Sequence, residues 1–154
     1  MKTKTIGLTL AFFFAAGAIC FAANPQMGTW KLNEKKSKIA QGMSRNDTVV
    51  YSSTLFQTKV TIDGRDAKGK PFHSEWTGMF DGKDHPVTGS STEDMRAYTK
   101  VDDRTLTFTM KKGGKVTITG RIVVAADGKS RTVIATGTNA KGKKFKNVAV
   151  YDKA

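Results

Sequence analysis

The sequence predicts an all-β protein, built as a single antiparallel up-and-down β-barrel of about eight to ten strands. From Thr48 onward, short segments rich in threonine, valine, isoleucine and aromatic residues are separated at intervals of roughly ten residues by glycine turns, as in a β-meander. Within the segments, apolar and polar side chains alternate with the two-residue period of a strand. No stretch after Thr48 carries the apolar stripe of a helix, whereas parallel strands would need helical crossovers. We therefore expect sequential, antiparallel strands.

Glycine dipeptides mark most of the predicted turns. Each places a glycine where a tight turn favours a positive φ: Asp63-Gly64, Lys68-Gly69, Asp81-Gly82, Gly113-Gly114, Asp127-Gly128 and Lys141-Gly142. Asp102-Asp103 is a further predicted turn, without glycine. Residues 64–72 and 137–145 match at Gly, Ala, Lys, Gly, Lys and Phe, which predicts that the same hairpin is used twice.

The alternation assigns a face to each side chain of the predicted strands. One face would be formed by Phe72, Ser74, Trp76, Gly78 and Phe80, and the other by His73, Glu75, Thr77 and Met79. Further inward runs would be Leu106, Phe108 and Met110, and then Val116, Ile118, Ile122 and Val124. Closure into a barrel would remove the exposed strand edges, while a two-sheet sandwich is the alternative. Residues 33–46 are predicted to hold a short helix or lid.

The first 22 residues are predicted to be a signal peptide. Lys2 and Lys4 precede an uncharged apolar run over residues 6–21, which ends in small residues at the expected cleavage site after Ala22. The alternative, a spanning helix, would need roughly 20 apolar residues. Cys20 is the only cysteine and lies in the segment to be removed, so the mature domain, residues 23–154, would have no disulfide. We expect export to the periplasm or the medium.

The charge of the chain predicts attraction to polyanions. The formal net charge is +13, and loss of Lys2 and Lys4 lowers it to +11. Binding to an anionic envelope lipid, a polysaccharide or a partner protein is therefore the alternative function, although turn lysines also keep a β-protein soluble. No basic helix with interleaved aromatic residues is present, so nucleic acid is not an expected partner.

The two ends of the domain resemble those of calycins. Residues 28–32 (GTWKL) resemble the Gly-x-Trp opening of lipocalins and fatty-acid-binding proteins, and residues 150–153 (VYDK) resemble the closing strand of the latter. The resemblance implies a lipocalin-like barrel in which Trp30 plugs one end by stacking against a cation. Arg131 and Lys146 are the candidates for that cation.

A second resemblance, to a group of small exported bacterial proteins, rests on three stretches and covers nearly the whole mature chain. They are residues 28–38 (GTWKLNEKKSK), 81–89 (DGKDHPVTG) and 140–153 (AKGKKFKNVAVYDK). This group implies a compartment and a fold, but no activity. Fatty-acid-binding proteins carry an arginine two residues before the closing tyrosine, whereas this chain has Ala149. The departure favours a neutral or weakly polar ligand over a free fatty acid.

The predicted function is therefore binding of a small hydrophobic or amphipathic ligand inside the barrel. The interior would be lined by Trp76, Phe80, Phe108 and Ile118, with polar points at Ser74, Asn147 and Tyr151. The same aromatic residues would serve equally well as a solid core. The oligomeric state stays open.

No enzyme, cofactor or metal site is expected from the sequence. His73 and Glu75 share a strand face, but even together with His85 they are too few ligands for a zinc site. We interpret His73 and Glu75 as a solvent-facing polar pair. The loop of residues 81–94 lacks the ordered acids of a calcium site and is interpreted as a long connection. No nucleophile motif, acid pair or phosphate loop is visible.

Overall fold

The computed structural model describes residues 23–139 and 141–154, so the predicted signal peptide lies outside the described residues. The polypeptide forms ten strands: β1 Gly28–Leu32, β2 Arg45–Ser53, β3 Thr58–Arg65, β4 Pro71–Gly78, β5 His85–Thr88, β6 Met95–Lys100, β7 Thr105–Lys112, β8 Lys115–Val124, β9 Ser130–Thr138 and β10 Lys144–Lys153. A 3-10 helix, Glu34–Lys36, interrupts the connection between β1 and β2. None of the described helical segments has the length and apolar character needed to span a bilayer.

The strands close into one antiparallel barrel. Each strand pairs with its neighbours in sequence, and β1 completes the ring by pairing with both β2 and β10, through Gly28 opposite Tyr51 and Trp30 opposite Lys153. The predicted up-and-down barrel is therefore confirmed, and the sandwich alternative is wrong. The connection between β1 and β2 lies at what we call the open end, and residues 23–27 lie at the opposite, closed end.

The alternation of side chains places the core inside the barrel as the sequence predicted. Ser74 and Trp76 of β4 are buried, while His73 and Thr77 face outward. The prediction for Val116 is wrong. The pairing of β7 with β8 shifts register between Met110 and Lys111, which sets Val116 opposite Lys111, and the Val116 residue is 56% exposed. A β-bulge reverses the facing of residues beyond it, so the simple period fails there.

Five of the six glycine dipeptides form turns with a positive φ, and the remaining prediction is wrong. Gly64 of Asp63-Gly64 lies inside β3, and the hairpin turns later, at Gly69, with φ +80°. Gly64 has a different role, because a Cβ atom there would collide with the carbonyl oxygen of Arg45 and touch the ring of Phe72. The strand must approach its neighbour closely at this point.

The repeated hairpin is confirmed. The Asp66 carboxylate accepts hydrogen bonds from the backbone N–H groups of Lys68 and Lys70. The amide oxygen of Asn139 accepts the matching pair from Lys141 and Lys143. In each copy a strand glycine faces a phenylalanine, namely Gly64 opposite Phe72 and Gly137 opposite Phe145.

The connection between β1 and β2, residues 33–44, contains the short helix that was predicted within residues 33–46. Asn33 caps it by accepting a hydrogen bond from the backbone N–H of Lys36. The chain then crosses to β10, where Lys38 bridges to Val148 and the backbone N–H of Ala40 donates to the side chain of Asn147 at 2.8 Å. This segment is thereby fixed beside the open end of the barrel.

Candidate ligand cavity

The barrel encloses a cavity of about 160 Å³ that extends to the open end. Ile39, Met43, Ser90 and Thr92, from two connections at that end, line its outer part. Five of the seven residues predicted to contact a ligand line the cavity: Ser74, Phe108, Ile118, Asn147 and Tyr151. The strands bring these residues together because each points to the inner face. Their binding to a ligand stays a prediction.

Trp76 and Phe80 do not line the cavity, contrary to expectation. The two rings stack on each other, with centroids 6.3 Å apart and an interplanar angle of 12°. Tyr98 packs edge-on against Trp76 at 4.8 Å, and the indole N–H of Trp76 donates to the carbonyl of Arg96. The cluster fills the barrel toward the closed end, so Trp76 and Phe80 form core and not cavity wall.

Trp30 plugs the closed end in the predicted manner. It is fully buried, and its indole N–H donates a 2.9 Å hydrogen bond to the carbonyl of Gln26. Of the two candidate cations, Arg131 is the stacking partner, with its guanidinium carbon 4.8 Å from the indole centroid. Lys146 is exposed on β10, and Lys153 instead supplies a second cation at 5.1 Å.

A buried ion pair forms part of the cavity wall. The guanidinium of Arg96 donates to the carboxylate of Glu93 through both Nε and Nη2, and both residues are buried. Nη1 of Arg96 donates to the hydroxyl of Tyr98 at 2.9 Å. Burial raises the pKa of Tyr98 far above its ordinary range despite the opposing charge of Arg96, so this phenol stays neutral. The sequence interpretation of residues 81–94 as a long connection is wrong, because β5 lies within this segment, and it missed the pairing of Glu93 with Arg96.

Arg131 is the second buried arginine on the cavity wall. It is only 2% exposed, and its guanidinium also lies 4.8 Å from the ring of Tyr51 and 5.1 Å from the ring of Tyr151. Within the part of the chain that the structure describes, its Nε and Nη1 atoms have no hydrogen-bond partner. A cation thus lies beside Tyr151 although Ala149 stands where fatty-acid-binding proteins carry an arginine, and the preference for a neutral or weakly polar ligand stays a prediction.

The position of Arg131 follows from cross-strand register. Arg131 of β9 lies directly opposite Tyr151 of β10. The hydroxyl of Tyr151 donates to the carbonyl of Asn46 at 3.1 Å, and burial raises the pKa of Tyr151 to about 12 although Arg131 opposes the shift. The sequence marked Arg131 only as a partner of Trp30, since nothing local reveals which residue of β9 faces a given residue of β10.

The histidines lie outside the cavity. His73 is on the outer face, with Nδ1 2.6 Å from the Asp63 carboxylate and Nε2 3.4 Å from that of Glu75. Its pKa is raised because both carboxylates favour the charged ring. His85 packs edge-on against Trp76. Among residues 23–139 and 141–154, no three histidine, cysteine or acidic side chains come together as a metal site.

Lysines surround the open end of the barrel. Exposed lysines lie in or directly beside three of its hairpin turns: Lys68 and Lys70, Lys112 and Lys115, and Lys141, Lys143 and Lys144. The last group lines a surface groove together with residues 40–43, next to the cavity entrance. The sequence predicted that most of these lysines, though not Lys115, lie at turns, but only barrel closure reveals that the turns share one end.

The fold and the site define a closed ten-stranded β-barrel with an internal cavity and two buried arginines on its wall. Comparison with protein-family models and with curated proteins finds no match. Among solved structures, the chain is similar to a redesigned β-barrel, mFAP1, bound to DFHBI, with a TM-score of 0.44 and 17% identity over 86% of this chain and 98% of that one. It is also similar to EF1p2_mFAP2b bound to DFHBI, with a TM-score of 0.47 and 13% identity over 86% of this chain and 97% of that one. The strand pairing of this chain, and not these two likenesses, establishes its barrel.

Proposed function

We propose that this protein is an exported, lipocalin-like binding protein that holds a small hydrophobic or amphipathic molecule in its barrel without transforming it. The observation that carries the proposal is the cavity, which has apolar walls and a few polar groups at fixed positions, as ligand sites commonly do. Phe108, Ile118 and Val133 supply apolar surface, while Ser74 and Asn147 supply polar atoms. The plug formed by Trp30 and Arg131 supports the lipocalin-like character.

The size of the cavity sets the size of the ligand. Drug-sized ligands occupy pockets of roughly 300 to 1,000 Å³, whereas an apolar protein cavity of roughly 150 Å³ holds benzene. A cavity of about 160 Å³ therefore suits a molecule with a single ring or a short chain. A full-length fatty acid would require the wall to move.

A pair of tryptophan substitutions tests the proposal. Ile118 lines the cavity, whereas Ile134 faces outward on β9 and is 38% exposed. The protein would be incubated with a small-molecule extract of bacterial envelopes, repurified and analysed by mass spectrometry. We expect wild type and Ile134→Trp to retain the same compound and Ile118→Trp to lose it. If wild type retains nothing and xenon produces no NMR shift in cavity residues, ligand binding is excluded.

The lysines at the open end favour a second candidate function, binding to an anionic surface. The electric fields of cations in neighbouring turns add together, and their attraction for an anionic surface weakens as the salt concentration rises. We expect binding to vesicles containing anionic lipid to drop in Lys143→Glu/Lys144→Glu and to persist in the closed-end control Lys83→Glu/Lys129→Glu. Equal binding of both double variants would count against this function.

A further inference from the structure

The hairpin that joins β2 to β3 ends in two large apolar side chains that lie outside the core. Leu55 is 86% exposed and Phe56 is 82% exposed. The hairpin turns at the closed end, where the hydroxyl of Ser53 lies 3.6 Å from Sδ of Met27. We infer that this tip inserts into the surface of a lipid bilayer and thereby docks the closed end of the barrel against a membrane. The inference goes beyond ligand binding and concerns the end opposite the cavity entrance.

The backbone of this turn does not require apolar residues. Hairpin turns favour glycine, asparagine and aspartate, as in the glycine turns of this chain. Here the backbone N–H of Thr54 donates to the carbonyl of Gln57 at 2.7 Å. The hydroxyl of Thr54 donates to the same carbonyl and accepts from the N–H of Gln57. These bonds close the turn without Leu55 or Phe56, so the apolar pair points to a role outside the fold.

The end of the hairpin suits a bilayer in its charge and in its hydrogen bonding. Residues 48–58 (TVVYSSTLFQT) contain no charged side chain, and a charge carried into a membrane would be costly. The bonds between Thr54 and Gln57 satisfy polar groups that would otherwise need water. The next residue, Lys59, is paired with Glu75 at 2.8 Å. The tip can therefore leave water without taking a charge with it.

Two further connections at the closed end also carry exposed apolar residues. Met79, between β4 and β5, is 49% exposed, and Val101, between β6 and β7, is 51% exposed. These connections and the β2–β3 turn follow one another around the same end of the barrel. A broad surface that faced this end would contact all three, and the β2–β3 tip, whose apolar residues are the most exposed, would enter it.

The small area of the tip favours lipid over a protein partner. Burial of one leucine and one phenylalanine removes roughly 300 to 400 Å² from water, whereas each partner of a stable protein interface gives up about 800 Å². Insertion into lipid needs no complementary surface, because each buried methylene group contributes by itself. The closed-end turns carry acids as well as bases, such as Asp102 with Arg104 and Asp127 with Lys129. The expected lipid is therefore one without net charge.

A fluorescent side chain at the tip tests the inference. Phe56→Trp, made in the full chain, would be mixed with vesicles of phosphatidylcholine that carries bromine in its acyl chains, where it quenches indole fluorescence. We expect the emission of Phe56→Trp to shift to shorter wavelength and to be quenched, unlike that of wild type, whose Trp30 and Trp76 are buried. The control Ile134→Trp, on the outer face of β9, should not be quenched. Since this lipid has no net charge, the response should persist at high salt.

Removal of the neighbouring apolar side chain measures the strength of the contact. In the Phe56→Trp background, Leu55→Ser should raise the lipid concentration for half-maximal quenching at least about fourfold, the factor that burial of one methylene group contributes. Val116→Ser, which removes an exposed apolar side chain from β8 at the open end, should leave that concentration unchanged. All three positions are exposed, so these variants keep the core of the barrel.

Several results would overturn membrane insertion by the tip. They are the absence of quenching in Phe56→Trp at every lipid concentration, and a half-maximal concentration that Leu55→Ser does not change. Equal quenching of Phe56→Trp and Ile134→Trp would mean that the barrel lies on its side. A shift of Phe56→Trp emission without lipid, together with a sedimentation coefficient that rises with protein concentration, would assign the tip to a second copy of this chain. Ligand binding would stand in each case, because the cavity reaches the other end of the barrel.

Discussion

The buried side chains of this barrel differ in how fully their polar atoms are satisfied by hydrogen bonds. Trp30 and Trp76 each donate their indole N–H to a backbone carbonyl, and Arg96 is paired with Glu93. Arg131 has comparable burial but lacks such acceptors. Buried polar groups in proteins are nearly always paired, so the unpaired donors of Arg131 are unusual for a buried side chain.

His73 provides a pH-dependent test of the outer surface. Asp63 and then Glu75 raise its pKa above the ordinary value of 6.5. The stabilisation from these contacts is complete below about pH 6.5 and is lost as the pH rises through the folded-state pKa. NMR titration should give a pKa above 6.5 in wild type and a lower one in Asp63→Asn. The control Asp103→Asn removes an acid that contacts Lys100 instead and should leave the titration of His73 unchanged.

A pKa of His73 that does not respond to Asp63→Asn would contradict this description. It would mean that the 2.6 Å contact between the ring and the carboxylate does not persist in solution.

At the scale of the elements, the strand glycines allow neighbouring strands to approach and are not turn residues. An added methyl group at Gly64 would meet the Arg45 carbonyl, and one at Gly137 would meet the Thr117 carbonyl. Each glycine lies opposite a phenylalanine whose ring covers the space left by the missing side chain. Both copies of the repeated hairpin therefore contain the same packing of a strand glycine against a phenylalanine ring.

We expect Gly64→Ala and Gly137→Ala each to lower the free energy of unfolding by about 1 to 3 kcal/mol, the usual cost of forcing extra atoms into a packed site. Urea denaturation monitored by tryptophan fluorescence would measure the change. Thr77→Ala, at an exposed position of β4, should stay within about 0.5 kcal/mol of wild type. Alanine variants as stable as wild type would show that the strands separate there at little cost.

How much of the molecule the sequence could predict depended on the range of the interactions. Periodicity and turn glycines identified the strands and the inner face of β4, because both signals are local. The bulge that turns Val116 outward is a property of a strand pair, and no single strand reveals it. The burial of Trp76 in an aromatic cluster and the placement of Arg131 beside Tyr151 depend on how strands are aligned around the ring, so the sequence assigned both incompletely.

At the scale of the whole molecule, the barrel has two unlike ends. The closed end is filled by Trp30 and its neighbours, whereas the open end carries the cavity entrance and most of the turn lysines. Most of the positive charge of the turns therefore lies at the same end of the barrel as the cavity entrance. This polarity is a product of closure, since lysines scattered along the sequence converge only when alternate turns are brought together.

Export supplies a test of the proposed domain division. We expect the full chain, expressed in a bacterium, to yield a product that begins at Ala23, which intact mass measurement of the periplasmic fraction would detect. Ala22→Arg should block cleavage because a bulky charged residue replaces the small one at the predicted site. Recovery of the uncleaved wild-type chain in the cytoplasmic fraction would rule out the signal peptide.

The ring joins the beginning of the domain to its end. Trp30 pairs with Lys153, so one edge of β1 stays unpaired until β10 is in place, and contacts of such long sequence separation form slowly. During synthesis, which proceeds from the amino terminus, the barrel therefore cannot close before β10 has been made. A barrel that lacked the last residues of β10 would have a gap beside Trp30, the residue on which the closed end is built.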